Sequence, residues 1–279
     1  MLVSLKTLLT MAEEKGFCVP AFNVYNTETL LGVVKAAEAL RAPVILQLYP
    51  RLVSEEVGYY LAPSILAAAN KASVPVCFHL DHGPSEKEIQ RALRWGATGI
   101  MFDGSAHSFE ENIAMTRRAV ELCAYVDVPV EGELGHVGTV NDDAMDAFTE
   151  PQQAAEFVRQ TGVSCLAVLI GNAHGRYKKT PHIDIDRVQA IREACGGLPL
   201  VLHGGSGIPD DQVKAAIKVG IRKMNFATDV CYAFAQSTLE TLSDPNRPVA
   251  VDLFMKKPIE AVKAFAAEKI ALCGAEQQA

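Results

Sequence analysis

The sequence predicts an α/β protein with one (β/α)8 barrel, a TIM barrel, as a single domain over residues 1–279. Three observations predict it. Eight short apolar runs recur along the chain, each followed by a polar turn and, in most cases, a segment of helical period. Several runs are continuously apolar rather than alternating, as in strands buried on both faces of a parallel sheet. The length of 279 residues suits one barrel of about 250 residues without division into smaller domains.

The elements follow in order. The opening MLVSLKTLLTMAEEKG reads as an amphipathic helix. Strands are expected at 17–22 (FCVPAF), 43–48 (PVILQL), 74–79 (VPVCFH), 99–102 (GIMF), 129–133 (PVEGE), 165–169 (CLAVL), 198–203 (LPLVLH) and 221–225 (IRKMN). Helices are expected at 28–40, 85–95, 109–125, 151–160, 184–194 and 210–219, with a final one at 258–272. Pro84-Ser85 ahead of Glu-Lys-Glu, and Pro209-Asp210, mark two of the starts. The stretch 134–150 has no periodicity and holds Gly135, Gly138, Asn141, Asp142, Asp143 and Asp146. Loops of that length are often functional.

Apolar residues at 49%, charged residues at 21% and a mean hydropathy of +0.12 exclude a generally disordered chain. A net charge of −7 and no basic run argue against nucleic acid or an anionic membrane as partner. The cysteines 18, 77, 123, 165, 195, 231 and 273 are widely spaced and form no Cys-x-x-Cys pair. They read as buried free thiols of a reducing compartment. The N-terminal segment lacks a basic region and a cleavage site, and no apolar run approaches the roughly 20 residues of a membrane span. The expectation is a cytoplasmic protein.

In a barrel the chemistry sits at the C-terminal ends of the strands. The polar residues there are His79-Leu80-Asp81-His82-Gly83, Asp103-Gly104-Ser105, Glu131-Gly132-Glu133, Gly171-Asn172-Ala173-His174-Gly175, His203-Gly204-Gly205-Ser206-Gly207 and Asn225-Phe226-Ala227-Thr228-Asp229. His82, His174 and His203, each followed by glycine, make a candidate three-histidine site for Zn²⁺, with a coordination position left for a substrate oxygen. The bland alternative is three rim histidines satisfied by backbone carbonyls. Asp81 is either a general acid/base beside the metal or a carboxylate orienting a ligand. His79, at strand period from Asp81, is as much a structural as a functional candidate.

The glycine-rich turns at 174–175 and 204–207 suit an anion, since their N–H groups can approach a phosphate, with Lys178 adding charge. Asn225 is either a hydrogen-bond donor to a substrate hydroxyl or a helix cap. Asp142 and Asp143 are either a mobile acid/base pair or solvated acids. A metal beside a phosphate site implies a phosphorylated substrate whose carbonyl the metal polarises. On the residues alone this leaves aldol cleavage, isomerisation or epimerisation, and phosphoester hydrolysis open.

The runs AFNVYN (21–26), HLDHG (79–83), FDGSAHSFEENI (102–113), VEGELGHVG (130–138), GNAHGRYK (171–178), LVLHGGSGIP (200–209) and MNFATD (224–229) resemble the zinc-dependent class II ketose-bisphosphate aldolases. The segment from Lys257-Pro258 to Lys269-Ile270 resembles that family's ending, so the likeness covers essentially the whole chain. It implies Zn²⁺ on His82, His174 and His203, one ion per subunit. It implies Asp81 as the group that shuttles the C4 hydroxyl proton. Gly175, Lys178, Gly204, Ser206, Asn225 and Thr228 would bind the dihydroxyacetone phosphate half, with Asn225 touching the enediolate. Asp103 and Glu133 match an alternative or buried metal position, and backbone near Gly175 and Gly204 a monovalent cation. The resemblance also implies a homodimer or homotetramer acting on a phosphorylated sugar.

The departures concern the other half of the substrate. The family's loop motif Gly-Gly-x-Glu-Asp-Asp is here Gly138-Thr139-Val140-Asn141-Asp142-Asp143, so Asp142 inherits the loop acid/base role by position. Ala227 stands where fructose-type members tend to carry Asp and tagatose-type members a small residue. Cys231 stands where an Arg or Lys often binds the distal phosphate. The turn Gln47-Leu48-Tyr49-Pro50-Arg51 is bulkier than the family's, and Arg51 is a candidate replacement cation. The expectation is a lyase cutting a ketose 1-phosphate or a ketose 1,6-bisphosphate, tagatose-type before fructose-type. A glycolytic fructose-1,6-bisphosphate aldolase and a metal-dependent isomerase or epimerase are the alternatives. A non-catalytic partner subunit would be expected to lack a metal ligand or Asp81, and this chain keeps all four.

Overall fold

A computed structural model describes residues 1–135, 148–175 and 180–279. Eight parallel strands close into a barrel: β1 (Val19–Asn23), β2 (Val44–Leu48), β3 (Val76–Gly83), β4 (Gly99–Phe102), β5 (Val130–Leu134), β6 (Cys165–Val168), β7 (Leu200–Leu202) and β8 (Ile221–Phe226). Each pairs with the next, and β1 returns to β8 with Ala21 opposite Asn225. Closure leaves no strand edge unpaired. The (β/α)8 expectation holds, and all eight expected strands form.

The outer layer comprises α1 (Leu5–Lys15), α2 (Thr27–Leu40), α3 (Pro50–Ser54), α4 (Glu56–Lys71), α5 (Glu86–Arg94), α6 (Phe109–Ala124), α7 (Pro151–Thr161), α8 (Ile185–Ala194), α9 (Asp210–Val219), α10 (Thr228–Ser243), α11 (Val251–Phe254) and α12 (Lys256–Leu272). Ser4 caps α1, its Oγ accepting from the Thr7 N–H at 3.1 Å. This helix lies where the strands begin: the Leu5 N–H donates to the Thr98 carbonyl, and Leu5, Leu8, Leu9 and Ala12 are buried. None of the described helices is long and apolar enough to cross a membrane.

Side-chain alternation along β8 shows how one strand serves two layers. Lys223 and Asn225 point into the barrel, where their hydrogen bonds lie. Arg222 points the other way and pairs with Glu13 of α1 at 2.9 Å. Phe226 stacks on Phe22 of β1 at 5.5 Å and meets Phe265 of α12 edge-on.

Three differences from the sequence reading bear on the site. The third strand runs on past His79 to Gly83, so Asp81 and His82 belong to the strand rather than to a turn after it. His82 itself has φ +47°, and the β3–β4 register shifts between Leu80 and Gly83. This bulge re-aims the strand end. The seventh strand is shorter than expected and stops at Leu202, leaving His203 just beyond it. Residues 50–71 form two helices the pattern had not disclosed, because Pro50, Gly58 and Pro63 read as breakers; Pro50 instead occupies the first turn of α3. The cysteines divide as well: Cys195 is half-buried and Cys231 exposed, against five buried thiols.

Candidate active site

The strand ends converge on a pocket of about 520 Å³. Its lining includes Asn23, Asp81, His82, Asp103, His174, Gly175, Gly204, Ser206, Asn225, Ala227 and Thr228, together with Tyr25, Tyr49 and Arg51. Most of the expected site residues are thus brought together. Asp142 and Lys178 lie outside the described residues.

The three histidines meet. Their candidate ligand nitrogens all lie within 4.8 Å of one another. His82 is 4.7 Å from His203 and 5.0 Å from His174 between ring centroids. Local structure brings this about. Asn172 ties the loop after β6 to the end of β7: its Nδ2 donates to the His203 carbonyl at 3.2 Å, and its Oδ1 accepts from the Ile170 N–H at 2.9 Å. Gly204 has φ +63°, and a Cβ there would sit 2.1 Å from the Ala173 carbonyl oxygen. Only glycine lets the two histidine-bearing loops approach so closely.

Each orienting contact leaves one nitrogen facing the cluster. His82 Nδ1 pairs with Asp103 Oδ2 at 2.7 Å, which leaves Nε2 inward, 3.9 Å from Asp81 Oδ1. His203 Nε2 pairs with Glu131 Oε1 at 2.9 Å. Its Nδ1 lies 3.1 Å from Glu133 Oε2. Asp103, besides His82, accepts from the Ser105 hydroxyl at 2.7 Å, and that hydroxyl also lies 3.1 Å from Glu133 Oε1. His82, Asp103 and Glu133 form a second group of converging ligand atoms, where the expected alternative position lies.

The charges suit a cation. Burial pushes His82 toward the neutral form, but Asp81, Asp103 and Glu133 outweigh it and lift its pKa to about 10. His203 is raised too: burial opposes, and the hydrogen bonds to Glu131 and Glu133 prevail. His174 goes the other way, to about 3, through burial and then the neighbouring His82 and His203. A site that draws protons onto two rings surrounded by carboxylates, and keeps a third ring bare, presents the donor set and field of a divalent-cation site. The buried His203 Nδ1, 3.1 Å from the Glu133 carboxylate, fits the same group. So does the carboxylate–histidine pairing typical around bound metals.

Asp81 is held by three amides. Asn23 Nδ2 donates to its Oδ2 at 2.8 Å, and Gln47 Nε2 and Asn225 Nδ2 donate to its Oδ1 at 2.9 and 3.0 Å. Burial raises its pKa, yet His82, His203 and Lys223 bring the carboxyl below its ordinary value. Asn225 is buried inside the barrel and caps no helix; Ala227 occupies the cap of α10 and its side chain bonds nothing there. Thr228, the first residue of that helix, lines the pocket. His79 lies deeper, fully buried, 3.4 Å from both Gln47 Nε2 and Glu131 Oε2. Burial and then Lys223 lower its pKa to about 3. The sequence reading had not singled out Lys223, and had taken Gln47 only as part of a family turn. A lysine inside IRKMNF was the available signal, since a charge at an inward strand position demands a partner.

The profile of the class-II fructose-bisphosphate aldolase family matches residues 3–278. The chain belongs to that family. It is therefore an aldolase, a carbon–carbon lyase. The Escherichia coli (strain K12) protein YdjI is 41% identical over 273 residues, 96% of each chain. The crystal structure of the YdjI aldolase superposes with a TM-score of 0.91 at 38% identity, covering 100% of both chains. A protein of Coccidioides immitis assigned as a fructose-1,6-bisphosphate aldolase superposes at 0.88 with 29% identity, covering 98% of this chain and 97% of the other. For this aldolase, family membership carries a general dependence on metal and action on phosphorylated sugars.

Proposed function

We propose that this aldolase cleaves a ketose 1-phosphate or a ketose 1,6-bisphosphate, tagatose-type before fructose-type, to dihydroxyacetone phosphate and an aldehyde. The reading rests on the convergence of His82, His174 and His203 beside Asp81 in one pocket. Zn²⁺, held by those histidines, would supply a Lewis acid for the ketose carbonyl and for the charge that develops there.

The chain's own groups account for the remainder. Asp81 accepts the C4 hydroxyl proton as the C3–C4 bond breaks; its electron pair passes to the three-carbon fragment and C4 becomes the aldehyde carbon. The three amides around Asp81 keep it aimed for that proton. Asn225, sharing the pocket, donates to the enediolate oxygen of the three-carbon product. Gly175, Gly204, Ser206 and the start of α10 at Thr228 hold the phosphate, an arrangement in which main-chain N–H groups and the helix terminus favour an anion. Lys178 and Asp142 enter this scheme through the family resemblance, Asp142 as the group that returns a proton to C3. Asp103 and Glu133 offer the ion an alternative, deeper position, and the backbone near Gly175 and Gly204 a monovalent cation. Exposed Leu239 and Leu242 on α10 and Val251 and Leu253 on α11 provide apolar surface for a homodimer or homotetramer.

The aldehyde side supports an altered partner. Ala227 and Cys231 carry no charge. Tyr25, Tyr49 and Arg51 line this part of the pocket, and the Arg51 side chain makes no ion pair among the described residues. An aldehyde other than glyceraldehyde 3-phosphate, with an anionic group for Arg51, fits these residues best.

A panel of fructose 1,6-bisphosphate, tagatose 1,6-bisphosphate and ketose 1-phosphates tests the proposal. Dihydroxyacetone phosphate release is followed with a coupled dehydrogenase. Release that stops on chelation and returns with Zn²⁺ supports it. Metal-loaded protein that converts a panel member to an isomer or epimer without releasing a triose overturns it.

A further inference from the structure

Beneath the histidines the barrel holds a buried charge pair that no step above uses. Lys223 of β8 has no solvent exposure. Its Nζ donates to Asn225 Oδ1 at 2.7 Å and pairs with Glu131 Oε2 at 2.9 Å. Glu131, equally buried, takes His203 Nε2 on its other oxygen at 2.9 Å. One ammonium thus sits between the amide of Asn225 and the carboxylate that orients a histidine. Stability alone does not explain such a pair, because replacing a buried ion pair by well-packed apolar groups is often neutral or stabilising.

We propose that Lys223 is a positioning residue that sets Asn225 and His203 together. Along β8, donation to Oδ1 fixes which end of the Asn225 amide is which. Oδ1 stays down on Lys223, so Nδ2 faces up toward Asp81, where it donates at 3.0 Å. A flipped amide would set oxygen against oxygen there and turn a donor away from the substrate. Across the barrel, Lys223 holds Glu131 where it receives the His203 Nε2–H. That leaves Nδ1, 3.1 Å from Glu133 Oε2, as the nitrogen on the cluster side. A lysine is needed because the site asks for several donors and a positive charge at one point, between an amide oxygen and a carboxylate.

The inference rests on the proposed function, in which the histidines hold a divalent cation and Asn225 touches the three-carbon product. The test compares wild type with Lys223→Met, Asn225→Ala, the double variant of these two, and Lys223→Met/Glu131→Gln. Zn²⁺ affinity is read by competition with a chromophoric chelator, ligand geometry from the visible spectrum of the Co²⁺-loaded protein, and cleavage at saturating metal. Lys223→Met is expected to bind Zn²⁺ about 10–100-fold more weakly, the usual cost of losing a group that supports a metal ligand. Its Co²⁺ spectrum shifts, kcat falls more than KM changes, and adding Lys223→Met to Asn225→Ala costs little further.

Lys223→Met/Glu131→Gln leaves no lone buried charge and keeps a carbonyl for His203, so it is readable even if the single variant folds poorly. It regains Zn²⁺ affinity but not kcat. Wild-type Zn²⁺ affinity and Co²⁺ spectrum in Lys223→Met would overturn the inference. So would fully additive losses with Asn225→Ala, or recovery of kcat in Lys223→Met/Glu131→Gln. A wild-type protein that takes up no metal through its histidines would overturn the metal reading first, and this inference with it.

Discussion

Gly204→Ala bears on the approach of two histidine-bearing loops. The added Cβ would lie 2.1 Å from the Ala173 carbonyl oxygen, 2.6 Å from its carbon and 3.3 Å from the His174 nitrogen. Opening the first of these to an ordinary contact takes roughly 1 Å of movement. The atoms in the way are backbone, so the shift falls on the residues beside His174 and His203. Metal-site geometry tolerates only about 0.2 Å, so Zn²⁺ affinity should fall by about 10–100-fold. Cleavage at subsaturating metal should fall by about 100-fold or more. The left-handed backbone adds about 1–2 kcal/mol of strain, which lowers Tm by about 2–8 °C.

Gly162→Ala isolates that strain. Gly162 has φ +72°, close to the +63° of Gly204, and its Cβ would meet nothing within 4 Å. It should lower Tm similarly and leave Zn²⁺ binding unchanged. Zn²⁺ titration by chelator competition, with thermal unfolding of both variants, decides the matter. Equal Zn²⁺ affinity for Gly204→Ala and Gly162→Ala would refute the claim that loop approach sets the histidine geometry.

Asp81→Asn should lower kcat by about 10²–10⁴-fold while Zn²⁺ uptake stays near wild type, because it removes the proton acceptor and no metal ligand; steady-state kinetics with metal analysis check this. Arg51→Ala should raise KM about 10–100-fold for a substrate with an anionic aldehyde end and leave a neutral-ended one unaffected, as parallel kinetics on such a pair would show. Chelated protein should lose stability as pH rises. His82 has its folded pKa raised to about 10, above its unfolded value near 6.5. Its contribution is fully present below that unfolded value and is lost as pH climbs toward 10. Melting between about pH 6.5 and 8.5, below the main range of thiol ionisation, should therefore show Tm falling after chelation; a Tm that rises across this window would contradict the assigned environment of His82.

Much of this was legible in the residues, for physical reasons. Strands buried on both faces must be apolar throughout, so runs such as PVILQL and CLAVL stand out in the chain. The barrel then fixes where chemistry goes, and histidines before glycines at strand ends mark the histidine cluster. What sequence concealed depends on partners far apart in the chain. Lys223 and Glu131 belong to strands on different sides of the barrel, and neither residue alone announces a buried pair. On the residues alone Asn225 read either as a donor to substrate or as a helix cap; its bonds to Asp81 and Lys223 lie inside the barrel. The two helices over 50–71 were hidden by Pro50, Gly58 and Pro63, whose usual role as breakers gave way to a helix start and to packing. The bulge at His82 left no local signature, because it answers to the β3–β4 register.

Hydrogen exchange at C3 of dihydroxyacetone phosphate tests the central claim most directly, because it needs no knowledge of the aldehyde. In deuterated solvent, with Zn²⁺ present, the protein should exchange one C3 hydrogen stereospecifically. That exchange should stop on chelation, return with Zn²⁺, and be absent from His203→Ala. Protein with metal bound at the three histidines that leaves the C3 hydrogens of dihydroxyacetone phosphate untouched would contradict the account.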